Sequence, residues 1–396
     1  VKINLPGGPY TLRPPVTWPH RPATPGKPDT PAAPGARVVY AAAHVVADPL
    51  GDNTPGSPAA VDWDATLRFR RHLWSYGLRV ADAMDTAQRN MGLDWAATRE
   101  LIARSAAEAR AFGDPEELVA CGAGTDHAPG ADTLQAVTDA YAEQIETVRS
   151  SGAGVIVMAS RQLAAIARGP EDYHRVYGKL FGVAGRPVIL HWLGEMFDPK
   201  LAGYWGSRDV GLATEAFLEL VRANAAMVEG VKVSLLDEEH EVRLRAALPP
   251  GVRLYTGDDF NYPSLIRSGS HALLGIFDAI APAAAAALGA LSAAESAVDA
   301  EARARNFALY EEIFGPTVPL SRKIFEAPTY HYKTGIVFLA WLNGHQDAFT
   351  MVNGAQSARS ISHLAEVFRL ADRAGLLSDP ELAVRRMSAL LAVNGL

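Results

Sequence analysis

The segment "VEGVKVSLLD" (228–237) places an amine among apolar residues. Val231, Val233 and Leu235 alternate with Lys232 and Ser234, which is the pattern of a strand. With valine on both sides, Lys232 points to the other face of that strand. A lysine held away from water is harder to charge, so its pKa falls and a free amine becomes available near neutral pH. Free amines add to carbonyls to give imines, and a protonated imine accepts the electron pair of a breaking C–C bond. The competing role for Lys232 is an ion pair with Asp258 or Asp259 in "YTGDD", on the next strand.

Such an amine needs a frame. From residue 37 the chain alternates apolar runs, "RVVYAAAHVV", "LRVADAMDT", "ELVACGAGT", "GAGVIVMAS", "RPVILHWLG", "GVKVSLL", "VRLYTGDD" and "HALLGIFDAIAP", with amphipathic helical segments such as "DWDATLRFRRHLWSYG" and "ATEAFLELVRANAAMV". Eight strands with helices between them predict an α/β fold, a (β/α)8 TIM barrel over 37–283. An open doubly wound sheet is disfavoured because "GAGTDH" (122–127) lacks the third glycine of a dinucleotide fingerprint. Residues 1–36 are proline-rich and aperiodic, and predict an extended arm on the body or on a neighbouring subunit. Residues 284–396 have helical spacing and predict a helical region behind the barrel, for eleven or more helices and eight strands in all.

With 396 residues, 48% apolar and 20% charged, the chain can bury a large core. A net charge of −7 and a pI near 5.9 argue against nucleic acid or an anionic membrane as partner. The single cysteine, Cys121, excludes an internal disulfide and points to a reducing cytoplasm. "VKINLPGGPY" has no apolar core of a signal peptide, and the alanine-rich 279–298 is interrupted by Pro282, Gly289 and Glu295, so it reads as a packed helix.

In such barrels chemistry sits where strands end and βα loops begin. Those ends offer His44, then Asp85, Thr86 and Gln88, then Asp126 and His127, then Arg161. They continue with His191, with Lys232 and Ser234, with Asp258, Asp259 and Asn261, and with Asp278 on the eighth strand. A mouth rich in acceptors suits a polyhydroxylated, sugar-like carbonyl substrate. Farther on, "HYKTGIVFLAWLNGHQDAF" (331–349) holds His331, Lys333 and His345, but its apolar centre reads as a packed helix.

The order of motifs resembles the dihydrodipicolinate synthase / N-acetylneuraminate lyase family of Schiff-base aldolases, in a divergent branch of unknown function. "GVKVS" stands where that family has its imine-forming lysine, and "YTGDDFNYPSLIRSGSHALLGIFDAIAP" follows its Gly-Asp-Asp pattern. The resemblance runs from about 38 to 283. It implies a class I aldolase or lyase with Lys232 as nucleophile, no cofactor beyond the lysine imine, and a homo-oligomer. Three departures stand out. His191 replaces the family's proton-relaying tyrosine, and its ordinary pKa near 6.5 suits that task. Asp85-Thr86-Ala87-Gln88 replaces a Thr-Thr-Gly-Glu carboxylate-binding loop, and "ASRQL" with Arg161 replaces Thr-Pro-Tyr-Tyr. Asp85 would repel a carboxylate, so a keto-sugar or keto-acid derivative is expected in place of simple pyruvate. The alternative is a Zn²⁺ or Mn²⁺ site built from His44, His127, His191 and Asp258, serving a hydrolase, isomerase or class II aldolase. A barrel that binds without catalysing is the third reading.

Overall fold

The computed structural model describes residues 1–18 and 37–396. Ahead of the barrel, β1 (Lys2–Leu5) and β2 (Gly8–Thr11) pair antiparallel. The eight apolar runs then supply β3 (Val39–Ala42), β4 (Arg79–Asp82), β5 (Val119–Ala123), β6 (Gly154–Val157), β7 (Val188–Leu193), β8 (Val228–Ser234), β9 (Arg253–Thr256) and β10 (His271–Leu274). These strands are parallel, and β10 returns to β3 through Ala272 opposite Val39, so the sheet closes into a TIM barrel.

Alternation along the strands sorts the core into two layers. Tyr40, Ala42, Ala81, Ala120, Ile156, Ile189, Tyr255 and Leu273 fill the barrel interior. Val39, Val80, Cys121, Val155, Leu190, Val231, Val233 and Leu274 face outward into the helices. The helices begin where the sequence offers caps: Asp62 accepts from the Ala65 amide at the start of Trp63–Ser75, and Asp94 from the Ala97 amide at the start of Trp95–Ala109. One buried ion pair locks the first of these helices to the barrel. The Arg70 guanidinium, fully buried, donates from Nη2 and Nε to the two Asp82 oxygens at 2.7 and 3.2 Å, and also reaches the His44 carbonyl. Asp82 in turn accepts from the Ala83 amide, which starts the loop that follows β4.

Three expectations need correction. Only the first four residues of "HALLGIFDAIAP" are strand; a helix, Ile276–Ser296, starts directly after Gly275. Its first amide is capped by Asp259 Oδ1 at 2.9 Å, and it carries Asp278, which is therefore a helical residue. It also runs through the boundary drawn at 283/284, with Pro282 inside and Ile280 non-helical before it. This helix is long and apolar enough to span a membrane, and 56% of its most apolar window is buried within the protein.

The second correction concerns the N-terminus. Of the arm expected over 1–36, residues 19–36 lie outside the described residues, while 2–11 form the β1–β2 hairpin. Ile3 and Leu5 alternate inward, and Tyr10 donates to Asp372 at 2.7 Å, fastening the hairpin to the helix Ile361–Arg373. Two glycines with positive φ, Gly7 and Gly8, make the turn that a scan for proline content passes over.

Third, the C-terminal helices do not lie behind the barrel. They cover the ends of the strands. Ser321 Oγ donates to the Asp259 carbonyl at 2.5 Å, Tyr262 and Thr317 hydroxyls bond each other, Gln88 Nε2 donates to the Val352 carbonyl at 2.8 Å, and Thr86 bonds Tyr332. Each barrel partner in these bonds follows a strand, so the helical region roofs the mouth.

Because the Arg70–Asp82 pair is wholly buried, removing one partner strands a charge. Asp82→Ala should lower unfolding free energy by about 3–5 kcal/mol in urea denaturation; a loss below about 1 kcal/mol would contradict this role for the pair.

Candidate active site

Where Lys232 points follows from its neighbours on β8. A Cβ on Gly230 would lie 2.6 Å from the Tyr255 ring, inside the barrel, so Lys232 and Ser234 face the same interior, with Val231 and Val233 outward. On β7, Ile189 belongs to the interior, which brings His191 inward, in register with Lys232. On the other side a Cβ on Gly257 would sit 2.9 Å from Lys232 Cε and 2.2 Å from Ser234 Oγ. Only glycine leaves the lysine room there.

Lys232 is 7% exposed. Among the described residues its amine has no carboxylate at ion-pairing distance, so the competing ion pair with Asp258 or Asp259 does not form. Burial lowers its pKa from the ordinary 10.5, and the nearby charges of Asp85 and Asp259 offset part of that. Asp259 is shifted the opposite way: burial raises its carboxyl pKa, against the Ile276 amide bond and the Lys232 charge. A buried amine and a buried acid thus face each other with both charges disfavoured.

His191 differs from expectation in its electrostatics. Burial, reinforced by Lys232, holds its pKa well below the ordinary 6.5, so the ring is neutral at physiological pH. Its Nε2 lies 3.3 Å from Ser234 Oγ, and its buried Nδ1 has no partner among the described residues. Such a ring can orient a hydrogen bond but is a poor reservoir for a proton.

The loop after β4 is held in unusual backbone conformations. Ala83, Gln88 and Asn90 all have positive φ (51°, 66° and 61°), which costs free energy at non-glycine residues and persists only under constraint. Asp82 holds one end and the Gln88–Val352 bond the other. Between them Asp85 acts electrostatically on Lys232, and Thr86 Oγ1 bonds the Tyr332 hydroxyl at 2.8 Å. Tyr332 is wedged by a stacked Phe325 and an edge-on Phe197. Lys333 follows it, 4% exposed, with Nζ donating to the Tyr330 carbonyl at 3.0 Å and lying 4.4 Å from the Tyr332 ring centre. Burial lowers its pKa to about 8, with Asp85 and Asp198 opposing, and with Arg161 and Lys232 adding to the fall. Arg161 Nε donates to Asp198 Oδ2 at 2.5 Å.

The structure therefore brings together Lys232, His191, Ser234, Asp85, Thr86, Asp259 and, at the edge, Arg161. It adds Tyr332 and Asp198, which sequence reasoning missed, and Lys333, which the sequence analysis names and assigns to a packed helix. The signal at Lys333 was the same as at Lys232, a lysine entering an apolar run; all eleven residues of Tyr332–Leu342 are buried. Other expected ligands are engaged elsewhere. Asp126 pairs with Arg89 and Gln144, and His127 contacts Gln144, Glu143 and the Trp95 ring. Asp258 accepts from the Phe260 and Asn261 amides and from Asn261 Nδ2, closing its own turn, while Asn261 also accepts from Arg322. Gln88 is spent on backbone carbonyls.

The proposed metal ligands are likewise dispersed. His44 is fully buried with Nδ1 2.8 Å from Asp278 Oδ2, His127 is at Glu143, and His191 is inside the barrel. Among the described residues no three His, Cys, Asp or Glu side chains are grouped to hold a metal ion.

A profile for a family of proteins of unknown function, DUF993, matches residues 18–396. The chain belongs to the DUF993 family. No curated protein sequence matches this DUF993 member. Its fold is shared with solved dihydrodipicolinate synthase family structures. YagE, a prophage protein of that family from E. coli in complex with pyruvate, has 12% identity and a TM-score of 0.64, over 86% of this chain and 99% of that one. The dihydrodipicolinate synthase of Aquifex aeolicus has 11% identity and a TM-score of 0.63 over the same shares. The enzyme of Acinetobacter baumannii, complexed with pyruvate, has 15% identity and a TM-score of 0.61, again over 86% and 99%.

The Thr86–Tyr332 bond ties barrel to roof. Tyr332→Phe should leave the Thr86 hydroxyl unpartnered and cost about 1–3 kcal/mol by denaturant titration; an unchanged midpoint would show that the bond contributes nothing.

Proposed function

We propose that this DUF993 protein is a class I aldolase or lyase that makes or breaks a C–C bond in a small ketone through an imine on Lys232. The observation that carries this is an inward, buried lysine with no carboxylate at ion-pairing distance among the described residues, at the C-terminal end of a barrel strand. The family fold and the two pyruvate-bound relatives support the same chemistry.

In this reading the neutral Lys232 amine adds to the ketone carbon, and the carbinolamine loses water to give the imine. Asp259, whose pKa burial raises, supplies the proton that departs with water and takes one back. The Asp259 carboxylate left by that step takes the proton of the hydroxyl beta to the imine, its C–C bond breaks, the electron pair enters the protonated imine, and an aldehyde leaves. Asp259 returns the proton to the enamine carbon, and water hydrolyses the imine to release ketone and amine, its proton passing to Asp259. Neutral His191 with Ser234 orients the reacting hydroxyl, and the Thr86–Tyr332 hydroxyl pair faces the other side.

The substrate is keto-acid-like in preference to polyhydroxylated. Asp126, His127, Asp258 and Asn261, four of the acceptors that suggested a sugar, already have protein partners, and Gln88 is fastened through its amide nitrogen to the Val352 carbonyl. A homo-oligomer, which the family resemblance implies, is part of the proposal.

Incubation with pyruvate and sodium borohydride should add one reduced adduct to the intact mass, mapped by peptide sequencing to Lys232. Lys232→Met should abolish it and lower turnover by roughly 10³-fold or more. No adduct with any of a panel of keto acids and ketones, or an adduct that survives in Lys232→Met, would overturn the assignment.

A further inference from the structure

Lys333 is a second buried lysine at the same mouth, and its environment differs from that of an ordinary core lysine. From Gly335 to Leu342 the helix Tyr332–Leu342 is apolar, and among the described residues only one of the three ammonium donors of Lys333 has an acceptor, the Tyr330 carbonyl. Its other contact is the face of Tyr332, a weak cation–π partner. Among the described residues no carboxylate reaches ion-pairing distance. A buried cation so poorly compensated costs free energy unless something else balances it.

The charges around it show what is lacking. Lys232, Lys333 and Arg161 interact electrostatically with Asp85 and Asp198, and Asp198 is already bonded to Arg161. Asp259, the remaining carboxyl beside Lys232, is disposed by its burial to keep its proton. Lys333 and Arg161 thus meet Asp85 and Asp198, and Lys232, which shares Asp85 with Lys333, adds a third positive charge whenever its amine or imine is protonated. An anion entering this space would accept from the free donors of Lys333 and compensate its charge, whereas a neutral ligand could not compensate that charge.

We infer that Lys333, assisted by Arg161, is the anion-recognising residue of this site, and that the ketone taken by Lys232 carries an acidic group, a carboxylate or a phosphate. The substrate class rests on the imine reading above; the anion site does not. Asp85, which stands where the resembled family binds a carboxylate, then offsets the charge of both lysines, and the anionic end of the substrate lies toward the roof helix. Specificity is thereby moved from the β4 loop to the C-terminal region.

Borohydride trapping by the full-length protein with pyruvate, dihydroxyacetone phosphate and hydroxyacetone separates the possibilities. Wild type should be half-saturated by one of the two anionic ketones at a concentration at least tenfold below that for hydroxyacetone; which of the two distinguishes carboxylate from phosphate. In Lys333→Met this preference should fall at least tenfold, and Lys333→Arg, which retains the charge, should recover most of it. A preference unchanged in Lys333→Met would overturn the inference. Lactate, an acid with no ketone, and inorganic phosphate provide a readout independent of imine chemistry. One of them should raise the melting temperature of wild type and of Lys333→Arg but not of Lys333→Met. If no adduct forms with any ketone yet this stabilisation holds, the aldolase reading fails and the anion site stands. If adducts form on Lys232 without regard to charge and neither anion stabilises, the aldolase reading stands and the anion site fails.

Discussion

The burial of one amine without a counter-ion governs the arrangement of this protein. Transferring an ammonium from water to a protein interior costs several kcal/mol unless it is paired, and proteins commonly meet that cost by losing the proton. Lys232 is placed for that outcome. The outward valines anchor its strand in the helix layer, Gly230 gives the space below it to Tyr255, and Gly257 gives it space alongside. Asp85 and Asp259 oppose deprotonation without forming a salt bridge, while burial favours it, so the lysine pKa lies below its ordinary value.

A reactive amine at the open end of a barrel would be wetted and charged, and the helical C-terminal region prevents this. It is fastened at several points around the rim, through Ser321 to the loop after β9, through Thr317 to Tyr262, through Tyr332 to Thr86, and through Val352 to Gln88. Within this roof Phe325 stacks on Tyr332 and Phe197 meets both rings edge-on, forming an apolar cluster. The hairpin at the N-terminus holds the far side of the same region through Tyr10 and Asp372. Function and stability are therefore joined: contacts that keep the roof in place also keep Lys232 dry.

Much of this was legible in the residues. The eight barrel strands follow from apolar runs, and the inward aim of Lys232 from its flanking valines, because period-two alternation is a local property. The electrostatics of His191 were not legible, since the neutral state of its ring results from burial beside Lys232, a neighbour 41 positions along the chain. Asp126, His127 and Asp258 illustrate the same limit. Their positions after strands were read correctly, but whether a carboxylate faces substrate or completes a turn depends on partners such as Arg89, Gln144 and Asn261. The roof was misplaced for a further reason: helical periodicity reports which face is apolar, and the barrel mouth is covered by just such a face. Lys333 carries the same signal as Lys232, a lysine at the edge of an apolar run, but in a helix that run is equally the signature of ordinary packing.

The most direct test of the central claim is the titration of Lys232 itself, by NMR of reductively ¹³C-methylated protein with Lys232→Arg to assign the resonance. The account predicts a midpoint clearly below the ordinary lysine value of 10.5, shifted further down by Asp85→Asn, which removes a charge that favours the ammonium. A midpoint at or above that ordinary value, unmoved by Asp85→Asn, would mean that the amine is solvated or firmly paired, and would contradict the account.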